Sequence, residues 1–197
     1  MSSFFRVCST LIIAAVLYLP SQAQTNTFEV RIANHAVGTI EASRKINGAA
    51  KNIVIKTRIQ TILAKITSDI NNEYHNNVLS VSKSSRISGK SGEDKQTTTH
   101  RNGKDYTIVL NGNRSVISDA VIEECVADLY FAEPKSVSRV FSEAQGRFLA
   151  LKAVGNGQYE LVMPEGKKNI YKYENGTLVQ VEVNHTFGKA LFVKNDR

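Results

Sequence analysis

An all-β, mainly antiparallel fold is what this sequence predicts, as a strongly curved sheet or partly open barrel laid out as a meander. Three observations carry the expectation. Apolar and polar residues alternate with period two along much of the chain, Asn-Gly and Glu-Gly pairs separate the β-rich runs, and a single segment has helical periodicity.

Phe28, Val30 and Ile32 alternate with Glu29 and Arg31 and open the sheet. The stretch 37–44 leads through Asn47-Gly48 to Ile53, Ile55 and Ile59, which alternate with Lys56, Arg58 and Gln60. Asn-Gly accepts the positive φ of a tight hairpin, so residues 37–62 read as one long hairpin. Alternation of this kind gives a sheet with one face on a core and the other in water.

The C-terminal third repeats the pattern. A strand over 148–154 turns at Asn156-Gly157 into Tyr159, Leu161 and Met163, then at Glu165-Gly166 into 170–173. Asn175-Gly176 turns again into a strand with Val179, Val181 and Val183 on one side, and 187–193 ends the chain. Short-spaced turns between such runs make an antiparallel meander.

The exception in period is 119–130. Val121, Ile122, Cys125, Val126 and Leu129 fall on one side of a 3.6-residue helix, and Glu123, Glu124 and Asp128 on the other. Ser118 or Asp119 can cap its start, and Glu133-Pro134 follows its end. One helix packed on the sheet is expected there, with a strand pair over the same residues as the alternative. Residues 71–105 are rich in Ser, Thr and Asn. They read as an exposed hairpin of strands over 79–83 and 96–101, or as a polar excursion.

Residues 1–23 read as a cleavable signal peptide. Arg6 supplies the charge, 7–19 the apolar run, Pro20 the breaker, and Ser21-Gln22-Ala23 the small-x-small site. The run has 13 residues, whereas a spanning helix needs about 20. A mature chain starting at Gln24 and a periplasmic or secreted location follow. Removing 23 residues from 197 leaves 174, read as one antiparallel β domain over 24–197 with no transmembrane segment. The net charge of +7 falls to +6 without Arg6. That balance suits anionic surfaces or glycans, but the basic residues are spread along the chain with acids among them, which reads first as solubility. Only Cys125 remains after cleavage, so no disulfide can close within the chain.

No catalytic or metal motif withstands inspection. The string 84–91 is one residue from a phosphate-binding loop, but Ser84 stands where glycine is required and no helical pattern follows Ser91. His35, His75, His100 and His185 lack metal-ligand spacing, and no G-x-S-x-G elbow occurs. Cys125 sits on the apolar stripe, where a thiol is a core residue rather than a nucleophile. Three Asn-x-Ser/Thr triplets, at Asn113, Asn175 and Asn184, matter only in a glycosylating pathway. No cofactor, metal or nucleic acid is expected.

The opening Phe28-Glu29-Val30 with Gly38-Thr39-Ile40, the segment 128–134, Phe141-Ser142-Glu143 before Gly146-x-Phe148, and the run from Asn169 to Gly176 resemble an uncharacterised family of exported all-β proteins from Bacteroidota. The resemblance spans most of the mature chain. It implies the fold and export but no chemistry. A second group of exported proteins with a curved antiparallel sheet is distantly similar.

The functional expectation is non-enzymatic binding of an apolar or amphipathic small molecule, or of an envelope protein. Aromatic residues gather late in the chain, and Phe148, Tyr159, Tyr171 and Tyr173 are the candidate ligand-binding residues on the concave face. The alternative is an envelope hydrolase with a site assembled from scattered residues such as Glu143, Tyr171 and His185.

Overall fold

The structure, a computed structural model, describes residues 21–62, 65–89, 94–185 and 188–195. All of the expected signal segment up to Pro20 lies outside the described residues. So do Lys90 and Ser91 of the loop-like string.

Fourteen strands make one antiparallel sheet. In chain order they are β1 (Gln22–Ile32), β2 (His35–Asn47), β3 (Ala50–Gln60), β4 (Lys65–His75), β5 (Val78–Ile87), β6 (Lys95–Asn102) and β7 (Asp105–Leu110). Then come β8 (Asn113–Ile117), β9 (Arg139–Ser142), β10 (Arg147–Gly155), β11 (Gln158–Val162), β12 (Lys168–Glu174), β13 (Thr177–His185) and β14 (Gly188–Lys194). In space the order is β8-β7-β6-β5-β4-β3-β2-β1-β14-β13-β12-β11-β10-β9. Chain neighbours pair throughout, as a meander requires. The join of β1 to β14, with Val30 opposite Phe192, merges an N-terminal and a C-terminal run into one sheet. The sheet is open, with β8 and β9 at its ends.

The Asn156-Gly157 and Asn175-Gly176 turns behave as the sequence predicts, whereas the β2–β3 turn falls one residue later than expected, at Gly48-Ala49, with Asn47 paired to Ala50. Asn156-Gly157 and Asn175-Gly176 all have positive φ, from 51° to 78°, the region in which Asn and Gly are least strained. Gly157 is also required for space: a Cβ there would lie 2.5 Å from the Tyr173 carbonyl oxygen. Alternation sets the faces. Phe28 and Val30, Ile40 and Ala42, and Ile53 and Ile55 are buried from one half of the sheet. Leu149, Leu151, Leu161, Leu178 and Val181 are buried from the other.

The helical element falls inside the expected window but is a single 3-10 turn, Val126–Tyr130. Ile122, Cys125 and Leu129 are buried as the stripe requires, while Val121 is exposed. The shortening has a local cause. Asp119 has a φ of 48°, the Ala120 amide donates to the Lys104 carbonyl, and the Ile122 and Glu124 carbonyls accept from Leu79 and Phe141 amides. Backbone groups that an α-helix would pair internally are already taken by the strands around them. The cap is Asp128, whose Oδ2 accepts from the Cys125 amide at 2.9 Å; Asp119 does not cap a helix.

The polar excursion is a full part of the sheet. β5 and β6 pair from Val81–His100 to Arg86–Lys95, and Ser82, Ser84, Thr97 and Thr99 are buried on the inner face.

Candidate functional site

The segment 122–131 crosses the concave side of the sheet and fills it. Ile122, Cys125, Ala127, Leu129, Tyr130 and Phe131 are all buried there. The C-terminal end of the crossing is bonded to two strands. Asn26 of β1 donates to the Tyr130 carbonyl at 2.9 Å, the Tyr173 hydroxyl of β12 donates to the Leu129 carbonyl at 2.6 Å, and the Tyr130 ring meets Phe28 edge-on at 5.4 Å.

At the middle of the crossing lies a buried cluster of ionisable and polar groups. Asp128 is held from three sides: Lys51 Nζ of β3 at 2.8 Å, the Tyr74 hydroxyl of β4 at 2.5 Å, and its own cap bond to Cys125. Lys51 Nζ also lies 3.9 Å from the centre of the Tyr74 ring. Glu143, in the turn between β9 and β10, is 1% exposed. Its Oε1 accepts from Asn72 Nδ2 at 2.8 Å and from the Ala127 amide at 3.0 Å. The same turn is pinned to β6 and β7. Thr97 donates to the Ala144 carbonyl, and Gly146, at a φ of 60°, packs where a Cβ would come within 2.5 Å of Ile108 Cγ2.

Burial dominates the electrostatics here. It pushes the Glu143 carboxyl up to about 7, helped by the Asp128 charge and opposed by the bonds from its own amide, Asn72 and Ala127. It also drives the Cys125 thiol well above its ordinary value, and the Glu143 and Asp128 charges add to this. Burial raises Tyr74 as well, and Cys125 and Asp128 push it the same way. The thiol is therefore protonated and sealed, as its place on the apolar stripe predicts. Among the described residues, three buried side-chain oxygens have no protein partner: Asn72 Oδ1, Ser82 Oγ and Thr99 Oγ1. They belong to residues that are direct cross-strand neighbours on β4, β5 and β6.

The aromatic candidates lie in the other half. Tyr159, Tyr171 and Tyr173 are buried. Tyr159 donates to Glu133 at 3.0 Å and stacks edge-on with Tyr173 at 5.6 Å. Phe148 is half-buried, edge-on to Phe141 at 5.7 Å and covered by the Arg139 guanidinium at 4.4 Å. The chain's own 122–133 segment thus covers the tyrosines. Two clefts on the described surface, about 370 and 240 Å³, are lined by other residues. The larger contains Ser21, Gln22 and Ala23, which precede the expected cut. Of the scattered hydrolase residues, Glu143 and Tyr171 come within electrostatic reach of each other, since the Glu143 charge helps raise the Tyr171 hydroxyl after burial and the neighbouring tyrosines. His185 ends β13 opposite Gly188, and its side chain lies outside the described residues.

With this geometry in place, the comparisons can be read. A family defined by a domain of unknown function, DUF6134, matches residues 28–195. The chain belongs to that family. The match begins at Phe28, where the opening motif of the sequence resemblance begins. No curated protein matches the chain. A solved structure of a beta-barrel-like protein of domain of unknown function DUF1849 from Brucella abortus is similar at 9% identity and a TM-score of 0.46, covering 92% of this chain and 98% of that one.

Sequence reasoning reached Glu143 but not its setting. Lys51, Asn72, Tyr74 and Asp128 were not singled out as a group, because they come from β3, β4 and the crossing segment. The one signal available was Asp128 inside the stretch 128–134, which the family resemblance marks. Among the described residues no group of three or more His, Cys, Asp or Glu can hold a metal, and no helix is long and apolar enough to cross a membrane.

Proposed function

We propose that the protein is exported to the periplasm or beyond and acts there as a non-enzymatic binding protein whose partner is another protein, docked at the free edge of β8. The observation that carries this reading is the unpaired outer edge of β8, the last strand of an open sheet. Unpaired amides and carbonyls along an edge are a ready template for an added strand. Exposed Val116 on β8 and Val121 just after it place apolar surface beside that edge. β9, at the other end, is already covered: Cys125 bridges Phe141 in parallel and the Phe141 amide donates to Glu124.

Two further observations support a surface function. The crossing segment occupies the concavity, so an apolar ligand on Phe148, Tyr159, Tyr171 and Tyr173 requires that segment to move and the Tyr173–Leu129 bond to break. The buried acids are closed to substrate, with Glu143 at 1% and Asp128 at 8% exposure, which favours binding over hydrolysis.

The test uses a photo-crosslinking residue at Val116 in cells, with one at Lys152 on β10 as the control. A discrete crosslinked species from Val116 alone, in the envelope or culture fraction and carrying a chain that begins at Gln24, is expected. Equal crosslinking from both positions, or a cytosolic chain with an intact Met1, contradicts the reading.

A further inference from the structure

Antiparallel pairing sets the β1–β2, β3–β4 and β5–β6 connections side by side on one rim of the sheet. This rim differs from the opposite one in composition. Ile32 closes β1 at 36% exposure, Ile62 follows β3 at 102%, and Ile87 ends β5 at 55%. Large apolar side chains at three adjacent hairpin ends are a patch, whereas a single exposed isoleucine needs no explanation. The opposite rim of the same strands turns at Gly48-Ala49, Asn76-Asn77 and Gly103-Lys104, and carries none of the large exposed hydrophobic residues at those tips.

Exposed cations accompany the same hairpin ends. Lys65 opens β4, and Arg86 and Lys95 are direct cross-strand partners on β5 and β6. All three are exposed. Three other basic residues toward this end are paired: Arg58 with Asp69, Lys168 with Glu160, Lys189 with Glu182. No described carboxylate pairs with Lys65, Arg86 or Lys95. Asp94, beside Lys95 in the chain, spends an oxygen on the Ser88 amide at 2.9 Å. Like charges placed directly opposite each other weaken a sheet, so the Arg86–Lys95 pair is a local liability that an external anion relieves.

Exposed apolar tips interleaved with unneutralised cations match a surface that is apolar below and anionic above. We propose that this rim docks the protein on a membrane surface of anionic phospholipid headgroups. Ile32, Ile62 and Ile87 sit at the headgroup boundary, and Lys65, Arg86 and Lys95 meet phosphates. The surface is distinct from the β8 edge, so either interaction stands without the other.

The experiment is co-sedimentation of the chain from Gln24 to Arg197 with vesicles of phosphatidylcholine containing phosphatidylglycerol, against phosphatidylcholine alone. Binding to the anionic vesicles, released by high salt, is expected. Arg86→Ala and Lys95→Ala each lower it about fivefold, the effect of one basic residue near an anionic surface. Ile62→Ser lowers it further, and Lys104→Ala on the opposite rim leaves it unchanged. Circular dichroism confirms that each variant is folded. Equal binding to both vesicle types, full binding by the Arg86→Ala and Lys95→Ala variants, or a chain that stays in the supernatant overturns the proposal. The last result is also what a rim that recognises only another protein gives.

Discussion

Glu143→Gln isolates the buried acid at the centre of the fold. The Gln amide oxygen can accept both bonds that Oε1 now accepts, from Asn72 and the Ala127 amide, so shape and these two bonds are kept while ionisation is lost. In the folded chain the Glu143 carboxyl titrates at about 7 against an ordinary value of 4.5. An acid whose folded value is raised binds its proton more tightly in the native state. The contribution of Glu143 to stability is then greatest below pH 4.5, falls as pH rises from 4.5 to about 7, and is level above that. At 1.36 kcal/mol per unit, the loss amounts to about 3 kcal/mol. The variant lacks this slope. The two proteins should be nearly equal in stability near pH 4.5, and at pH 8 the Gln variant should be more stable by about 3 kcal/mol, or roughly 6–12 °C in Tm for a chain of this size. Urea titrations and thermal melts at matched ionic strength across that range measure it. A variant that parallels the wild type at every pH, or is less stable at pH 8, refutes the reasoning, because Glu143 would then be ionised and held as such by its donors.

Three further outcomes follow from the same geometry. Cys125, buried and protonated, should be inert to a thiol reagent at pH 8 in the folded chain and react fully in denaturant; rapid native labelling contradicts the seal. Thr99→Val removes a buried hydroxyl without a protein partner and keeps its shape, so Tm should hold or rise by the equivalent of about 1 kcal/mol, while a clear fall means the hydroxyl is bonded. Gly146→Ala should destabilise by more than about 1 kcal/mol, since it adds a Cβ 2.5 Å from Ile108 at a positive φ; a neutral result in a urea titration shows that the turn is free to shift.

The strands were legible in the sequence because period-two alternation and Asn-Gly turns are local signals. The 37–62 hairpin and the C-terminal meander formed where those signals lie. The element at 119–130 was legible in its buried stripe but not in its length. The competing bonds come from Leu79, Lys104 and Phe141, which no local window contains. Composition misdirected the reading of 71–105. A Ser-, Thr- and Asn-rich stretch reads as exposed, yet Asn72, Ser82 and Thr99 are buried, and Asn72 donates to Glu143. The polar cluster had no sequence signature for the same reason. Lys51 and Asp128 are 77 residues apart, and Asn72 and Glu143 are 71 apart. Tyr159, Tyr171 and Tyr173 are buried and Phe148 is half-buried, but whether a ligand could reach them depends on where a distant segment crosses.

That crossing is the central claim: residues 122–131 fill the concavity, which is why the proposed recognition surfaces are the edge and rim of the sheet. Native mass spectrometry of the protein purified from cells without detergent tests it most directly. The account predicts a mass equal to residues 24–197 alone. A lipid-sized adduct that survives purification and disappears in Tyr171→Ala would contradict it, because such a ligand can reach Tyr171 only if the crossing segment has moved aside.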